Sequence, residues 1–162
     1  MPLQELAFQL PNRPGALARV ARILAKEHIN IAAISVDSTR TRGKVRLVPN
    51  DPTRARRLLE QAGYRVEVYS LIAVRLEDRA GSFLKVLDAL AQANVNVSSA
   101  AILVAKEGNQ SLVALATDDL PRARRALRTG GFISEGAERL INNADLLAAA
   151  PAIPAESVGL LL

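Results

Sequence analysis

Apolar positions along this chain change their spacing in a fixed order. Over residues 4–10 they alternate, as in a strand with one face turned inward. From Pro14-Gly15 to residue 27 they recur three and four apart, at Leu17, Val20, Ile23 and Leu24, which predicts a helix with one apolar face. Pro14 suits a first helical position, where its missing N–H would have no helical partner. Residues 29–36 read as a strand. The turn Thr41-Arg42-Gly43 leads into another over residues 44–48, so the two predict a hairpin. Asp51-Pro52 starts a second helix that stops at Gly63, and residues 66–69 form a fourth strand.

The same order then repeats. Asn12-Arg13-Pro14-Gly15 aligns with Asp78-Arg79-Ala80-Gly81 at an offset of 66 residues. Leu17 falls on Phe83, Val20 on Val86, Leu24 on Leu90, and His28-Ile29-Asn30-Ile31 on Asn94-Val95-Asn96-Val97. Further along the offset becomes 68, and Arg54-Ala55-Arg56-Arg57 meets the identical Arg122-Ala123-Arg124-Arg125. The two extra residues fall where a hairpin loop tolerates insertion. In the second copy the pattern predicts strands over 71–76, 96–105 and 110–117, helices over 80–93 and 120–129, and a last strand from Phe132. Each copy therefore reads β-α-β-β-α-β, the split-βαβ arrangement. The fold class expected is α+β: two ferredoxin-like units in tandem, with antiparallel sheets and both helices on one face of each sheet.

The division expected is residues 1–70, 71–135 and a tail over 136–162. No linker rich in Pro, Gly or Ser separates the units, so Tyr69-Ser70-Leu71 should hold them close. A unit of roughly 65 residues has a marginal core. Its open sheet face and edge call for a partner, and the tandem copy is the first one available. In the tail, residues 135–150 could form a helix that Pro151 and Pro154 break.

The turn Leu10-Pro11-Asn12-Arg13-Pro14-Gly15-Ala16-Leu17, the apolar helix and Ile29-Asn30-Ile31 resemble the signature of the ACT domain. Leu76 to Phe83 with Val95-Asn96-Val97 is similar, so the resemblance covers residues 3–134. It implies a family that regulates enzymes of amino-acid metabolism, such as phosphoglycerate dehydrogenase and aspartokinase, by binding free amino acids. It further implies a ligand at the turn from first strand to first helix, against the second strand of a neighbouring domain. Carried over, the ligand-binding residues are Asn12, Arg13, Pro14, Gly15, Ala16 and Leu17, with Asn30 and Ile31. In the second copy they are Asp78, Arg79, Ala80, Gly81, Ser82 and Phe83, with Asn96 and Val97. The second copy departs from the pattern at Ala80 and at bulky Phe83, which puts equal specificity of the two sites in doubt.

The chemistry has a rationale of its own. A helix N-terminus offers unpaired N–H groups and a positive dipole end to a carboxylate. Gly15 and Gly81 remove a side chain where a ligand approaches backbone. Asn12 and Asp78 can accept from an ammonium group, or can simply cap their helices. Asn30 and Asn96 can alternatively fix strand entry through side-chain to backbone hydrogen bonds.

Composition narrows the function classes. Cys is absent, which removes disulfides, thiolate metal sites and a thiol nucleophile. The single His, His28, reads as a residue of a helix's last turn, favourable to the dipole. With no Ser-His-Asp set, metal cluster or phosphate loop, the sequence predicts a protein that is not an enzyme and has no catalytic residues, no metal and no cofactor. No apolar run is long enough to span a membrane and no signal-peptide pattern is present, so a cytoplasmic location is expected. The net charge of +5 comes from Arg clusters at residues 40–46, 54–57 and 122–128, read mainly as solvated faces. RNA-recognition domains share this element order but stack bases on aromatics of the open sheet. The third-strand segments, 44–48 and 110–114, carry none, which speaks against nucleic acid. The partners expected are a free amino acid, a second copy in a homodimer and a regulated enzyme. The alternative is a non-catalytic interaction subunit like the small subunit of acetolactate synthase, although there the second half does not repeat the first.

Overall fold

A computed structural model describes residues 3–77, 79–107 and 110–133. The chain runs β1 (Leu3–Pro11), α1 (Ala16–Lys26), β2 (Ile31–Ser38), β3 (Arg42–Pro49), α2 (Pro52–Gln61) and β4 (Glu67–Glu77). It continues with α3 (Ser82–Gln92), β5 (Val97–Glu107), β6 (Gln110–Thr117) and α4 (Leu120–Thr129). The tail beyond residue 133 lies outside the described residues. The strand expected from Phe132 does too, save that Phe132 and Ile133 themselves form a bend.

All strand pairs are antiparallel, in the order β2-β3-β1-β4-β6-β5. The strands expected over 66–69 and 71–76 are one continuous strand, β4. Its first half pairs with β1, from Ala7↔Glu67 to Leu3↔Leu71. Its second half pairs with β6, from Ile72↔Leu115 to Glu77↔Gln110. The join between the units is thus a strand, with its backbone hydrogen bonds passing from one unit to the other.

Period-2 alternation sorts each strand between two faces. On β1, Leu6, Phe8 and Leu10 face α1 and α2 and form a core with Val20, Leu24, Val45, Leu47, Ala55 and Leu59. The matching positions of the second unit, Ile72, Val74, Leu76, Val86, Leu90, Val113, Leu115, Ala123 and Leu127, form its equivalent. Of the apolar stripe on α1, Val20 and Leu24 are buried, while Leu17 keeps 39% of its surface.

The helix-free faces are not left open. Leu3, Ala32, Val48 and Leu71 pack with Leu103, Leu112, Ala114 and Ala116 in a third buried cluster drawn from both units. The outermost strands, β2 and β5, lie against each other. The six-stranded sheet therefore curls with its helix-free face inward and all four helices outside. A fully buried Leu is worth roughly 1.5–3 kcal/mol. Leu3, Leu71, Leu103 and Leu112 alone thus contribute on the scale of a whole domain's net stability, about 5–15 kcal/mol. The tandem copy supplies the cover that each marginal unit needs.

All four helices among the described residues close in the same way. The residue after the C-cap is left-handed, at His28 (φ 55°), Gly63 (92°), Asn94 (53°) and Gly131 (74°). The next N–H donates back across the last turn, from Ile29 to Leu24, Tyr64 to Leu59, Val95 to Leu90 and Phe132 to Leu127. This is the Schellman arrangement. His28 is therefore the residue that ends α1 in left-handed conformation, and not a member of its last turn.

Candidate functional site

The turns before α1 and α3 share one construction. Ala16 N–H donates to the Arg13 carbonyl at 3.2 Å, and Ser82 N–H to the Arg79 carbonyl at 3.3 Å. Gly15 sits at φ 80°, ψ −8°, and Gly81 at φ 85°, ψ −10°. These are type II turns, which need glycine at the third place and favour proline at the second without requiring it. Pro14 and Ala80 occupy that second place. Pro14 is consequently a turn residue two positions before α1, not its first helical residue, and Ala80 replaces it without changing the turn. A Cβ at Gly15 or Gly81 would meet nothing within 4 Å. The positive φ alone demands glycine here, and the space beside the backbone is open.

Asn12 does not cap α1. Its Nδ2 donates to the Thr39 carbonyl at 2.8 Å and its N–H to the Thr41 carbonyl at 3.1 Å, which ties the turn to the β2–β3 hairpin. Asp78, its counterpart, lies outside the described residues. The N-caps of α1 and α3 are Gly15 and Gly81, with no side-chain cap. The other two helices are closed: Asp51 Oδ1 accepts from Arg54 N–H and Asp119 Oδ1 from Arg122 N–H, both at 2.9 Å. The helices split into two capped by Asp and two left open, and the open ones follow the glycine turns.

A cleft of about 380 Å3 adjoins the second turn. Arg79, Ser82 and Phe83 line it together with Leu76, Glu77, Val113, Ser111 and the β5 segment Ala100, Ala101 and Ile102. Phe83 and Ile102 leave 38% and 73% of their surface exposed around it, and an Arg79 Nε to Glu77 Oε2 pair at 2.8 Å marks its polar side. Around the first turn, Asn12, Arg13, Pro14, Gly15 and Leu17 are exposed and Ala16 is half-buried. A smaller cleft of about 250 Å3, lined by Gln9, Leu10, Pro11, Thr41 and Arg42, lies next to it.

Asn30, Ile31, Asn96 and Val97 are placed elsewhere. Each strand entry is separated from its own unit's turn by the length of an 11-residue helix, roughly 16 Å. Asn30 N–H donates to Asn50 Oδ1 at 3.1 Å, and Asn50 N–H returns a bond to the Asn30 carbonyl at 3.0 Å. Asn96 and Asp118 repeat the exchange at 3.0 and 3.2 Å. The strand entry is fixed by a side chain, as expected, but that side chain belongs to residue 50 or 118, and Asn30 and Asn96 contribute backbone. Ile31 and Val97 pack on the helix-side cores. The structure thus joins the second turn to the middle of β5 and separates both turns from the strand entries of their own units. The β5 segment at Ala100–Ile102 was absent from the residues expected at a site. The apolar run over residues 100–105 was the available signal, but only folding puts it beside Phe83.

One buried charge stands on the helix-free face. Glu5 is 3% exposed and pairs with Arg46 Nη1 at 3.2 Å. Burial pushes its carboxyl above the usual carboxylate range, although Arg46 pulls the other way. Beside it, the Tyr69 hydroxyl donates to Glu67 Oε2 at 2.8 Å, a bond that raises the Tyr69 pKa. Among the described residues no group of three His, Cys, Asp or Glu is placed to hold a metal ion. No described helix is long and apolar enough to cross a membrane.

Known proteins share this arrangement. The structure of protein BT0572 from Bacteroides thetaiotaomicron superposes with a TM-score of 0.78 at 23% identity, covering 90% of this chain and 96% of that one. The ligand-free regulatory subunit of aspartate kinase from Thermus thermophilus gives 0.58 at 17% identity, covering 80% and 91%. The aspartokinase alpha and beta subunits give 0.56 at 17%, covering 82% and 94%. These likenesses show the fold. No curated protein sequence matches the chain. The family model described as an ACT domain pair matches residues 1–137, and with the glycine turns and the duplicated βαββαβ order in place, the chain belongs to that family.

Proposed function

We propose that this protein binds a free amino acid at the turns before α1 and α3 and acts as a non-catalytic regulator of amino-acid metabolism. The observation that carries this reading is the split among its helices. α2 and α4 have Asp side-chain caps, whereas α1 and α3 have no side-chain cap and begin beside open space at Gly15 and Gly81. Such a terminus suits a ligand carboxylate. The cleft at Phe83 and Ile102 supplies apolar surface for a ligand side chain, and Glu77 an acceptor for an ammonium group. The name of the Thermus thermophilus fold relative, a regulatory subunit of aspartate kinase, supports a role in controlling a partner enzyme. The exposed Phe83, Leu84 and Ile102 support assembly as a homodimer.

The test is thermal unfolding with each common amino acid at millimolar concentration. A ligand at 100 times its Kd stabilises the folded state by about 2.7 kcal/mol, so at least one amino acid should raise Tm. Gly15→Val and Gly81→Val should each remove part of that ligand-dependent rise, measured against each variant's own unliganded Tm. If both variants kept the full rise, the placement at these turns would be wrong.

A further inference from the structure

The two units differ most on the third strand of the helix-free face. The first unit carries Arg42, Lys44 and Arg46 where the second, one offset of 68 residues on, carries Gln110, Leu112 and Ala114. Leu112 and Ala114 are buried in the core between units, so their side of the repeat has been given to packing. In the first unit the same positions stay polar. Arg46 is consumed by Glu5. Arg42 and Lys44 instead line a cleft of about 560 Å3 together with Gln9, Arg65 and Glu67. A volume of this order is that of a small-molecule site.

The lining has three cations against one carboxylate. Arg42 Nη1 donates to Gln9 Oε1 at 3.0 Å, which orients the guanidinium and leaves its other N–H donors for a ligand. Among the described residues the side chains of Lys44 and Arg65 make no salt bridge, and Lys44 acts on Glu5 only through its charge. Glu67 is held by the Tyr69 hydroxyl at one oxygen. Asp37 stands opposite Lys44 in the β2–β3 register. The second unit has Ile133 at the place of Arg65, so all three cations belong to one copy alone. A solvated face would not require them to converge on one cleft.

We infer that this cleft is a second small-molecule site, distinct from the glycine turns, for a ligand carrying two negative charges. A dicarboxylate or a phosphate monoester has that chemistry. An amino group on the ligand would meet Glu67. The inference does not rest on amino-acid binding at the turns.

The experiment is titration calorimetry of the full chain with glutamate, 2-oxoglutarate and inorganic phosphate, at ionic strength fixed with chloride. At least one should bind, and the strongest of the three identifies the source of the charge. Arg42→Gln and Lys44→Leu install residues that the second unit already uses at these places. Each should weaken binding about 10-fold, the loss of one charge-assisted hydrogen bond, while circular dichroism stays unchanged. Arg65→Ile serves as the third such variant should one of these fail to fold. Asp37→Asn should strengthen binding, a sign that a merely structural role would not produce. Gly15→Val should leave it unchanged, which separates this site from the turns. Absence of heat with all three anions would overturn the inference. So would binding unaltered in the Arg42 and Lys44 variants, or binding of an RNA oligomer alone with loss in those same variants.

Discussion

Single residues in this chain do work that their type alone does not disclose. Glu5 is the clearest case. Its carboxyl is raised above its ordinary value because burial outweighs the attraction of Arg46. The folded state therefore holds this proton at a pH where the unfolded chain has released it. Stability from Glu5 is greatest in acid and falls as pH rises through the window above 4.5, its ordinary value. Urea unfolding across that window should show the wild type losing stability relative to Glu5→Gln, whose side chain does not ionise, as pH rises. A wild type that gained on the variant as pH rose would mean that the ion pair, not burial, dominates. Other residues were legible by type but misplaced by it. Asn12 and Pro14 both have the chemistry of a helix start. The hairpin takes Asn12, and the type II turn takes Pro14, because Gly15 at φ 80° sets the backbone before the helix begins.

Elements were largely readable from spacing. The helices lie where three- and four-residue periodicity put them, with Val20, Leu24, Val86 and Leu90 inward. Their ends were read less well. A glycine signal marked the closing of α2, but α1 and α3 close through His28 and Asn94 in the same left-handed conformation. Non-glycine residues carry a cost there of roughly 1–2 kcal/mol, somewhat less for Asn. His28→Gly should consequently stabilise the protein by about 0.5–1 kcal/mol, the strain relieved less the entropy glycine gains when unfolded. Chemical denaturation measures it directly. A destabilised variant would show that the imidazole makes a contact worth more than the strain.

At the scale of the molecule, the curled sheet makes the duplication one body. Leu71 sits at the join of the two halves of β4 and in the core between units. Leu71→Ala should cost about 2–5 kcal/mol, and unfolding should remain a single transition because no unit keeps a complete core without the other. Two separated transitions in the variant or the wild type would show that the units fold apart.

The duplication, the βαββαβ order, the inward faces of the helices and the glycine turns all follow from local spacing and backbone preference, so the sequence by itself determined them. It could not say what would cover the helix-free faces, since Leu71 and Leu112 read only as members of apolar runs until β4 runs unbroken and β2 meets β5. Nor could it say that Ala100–Ile102 would line the second turn's cleft, or that Arg42, Lys44 and Arg65 would converge on one side. Those juxtapositions join residues far apart in the chain, and their geometry is set by packing between elements, a quantity no local pattern carries.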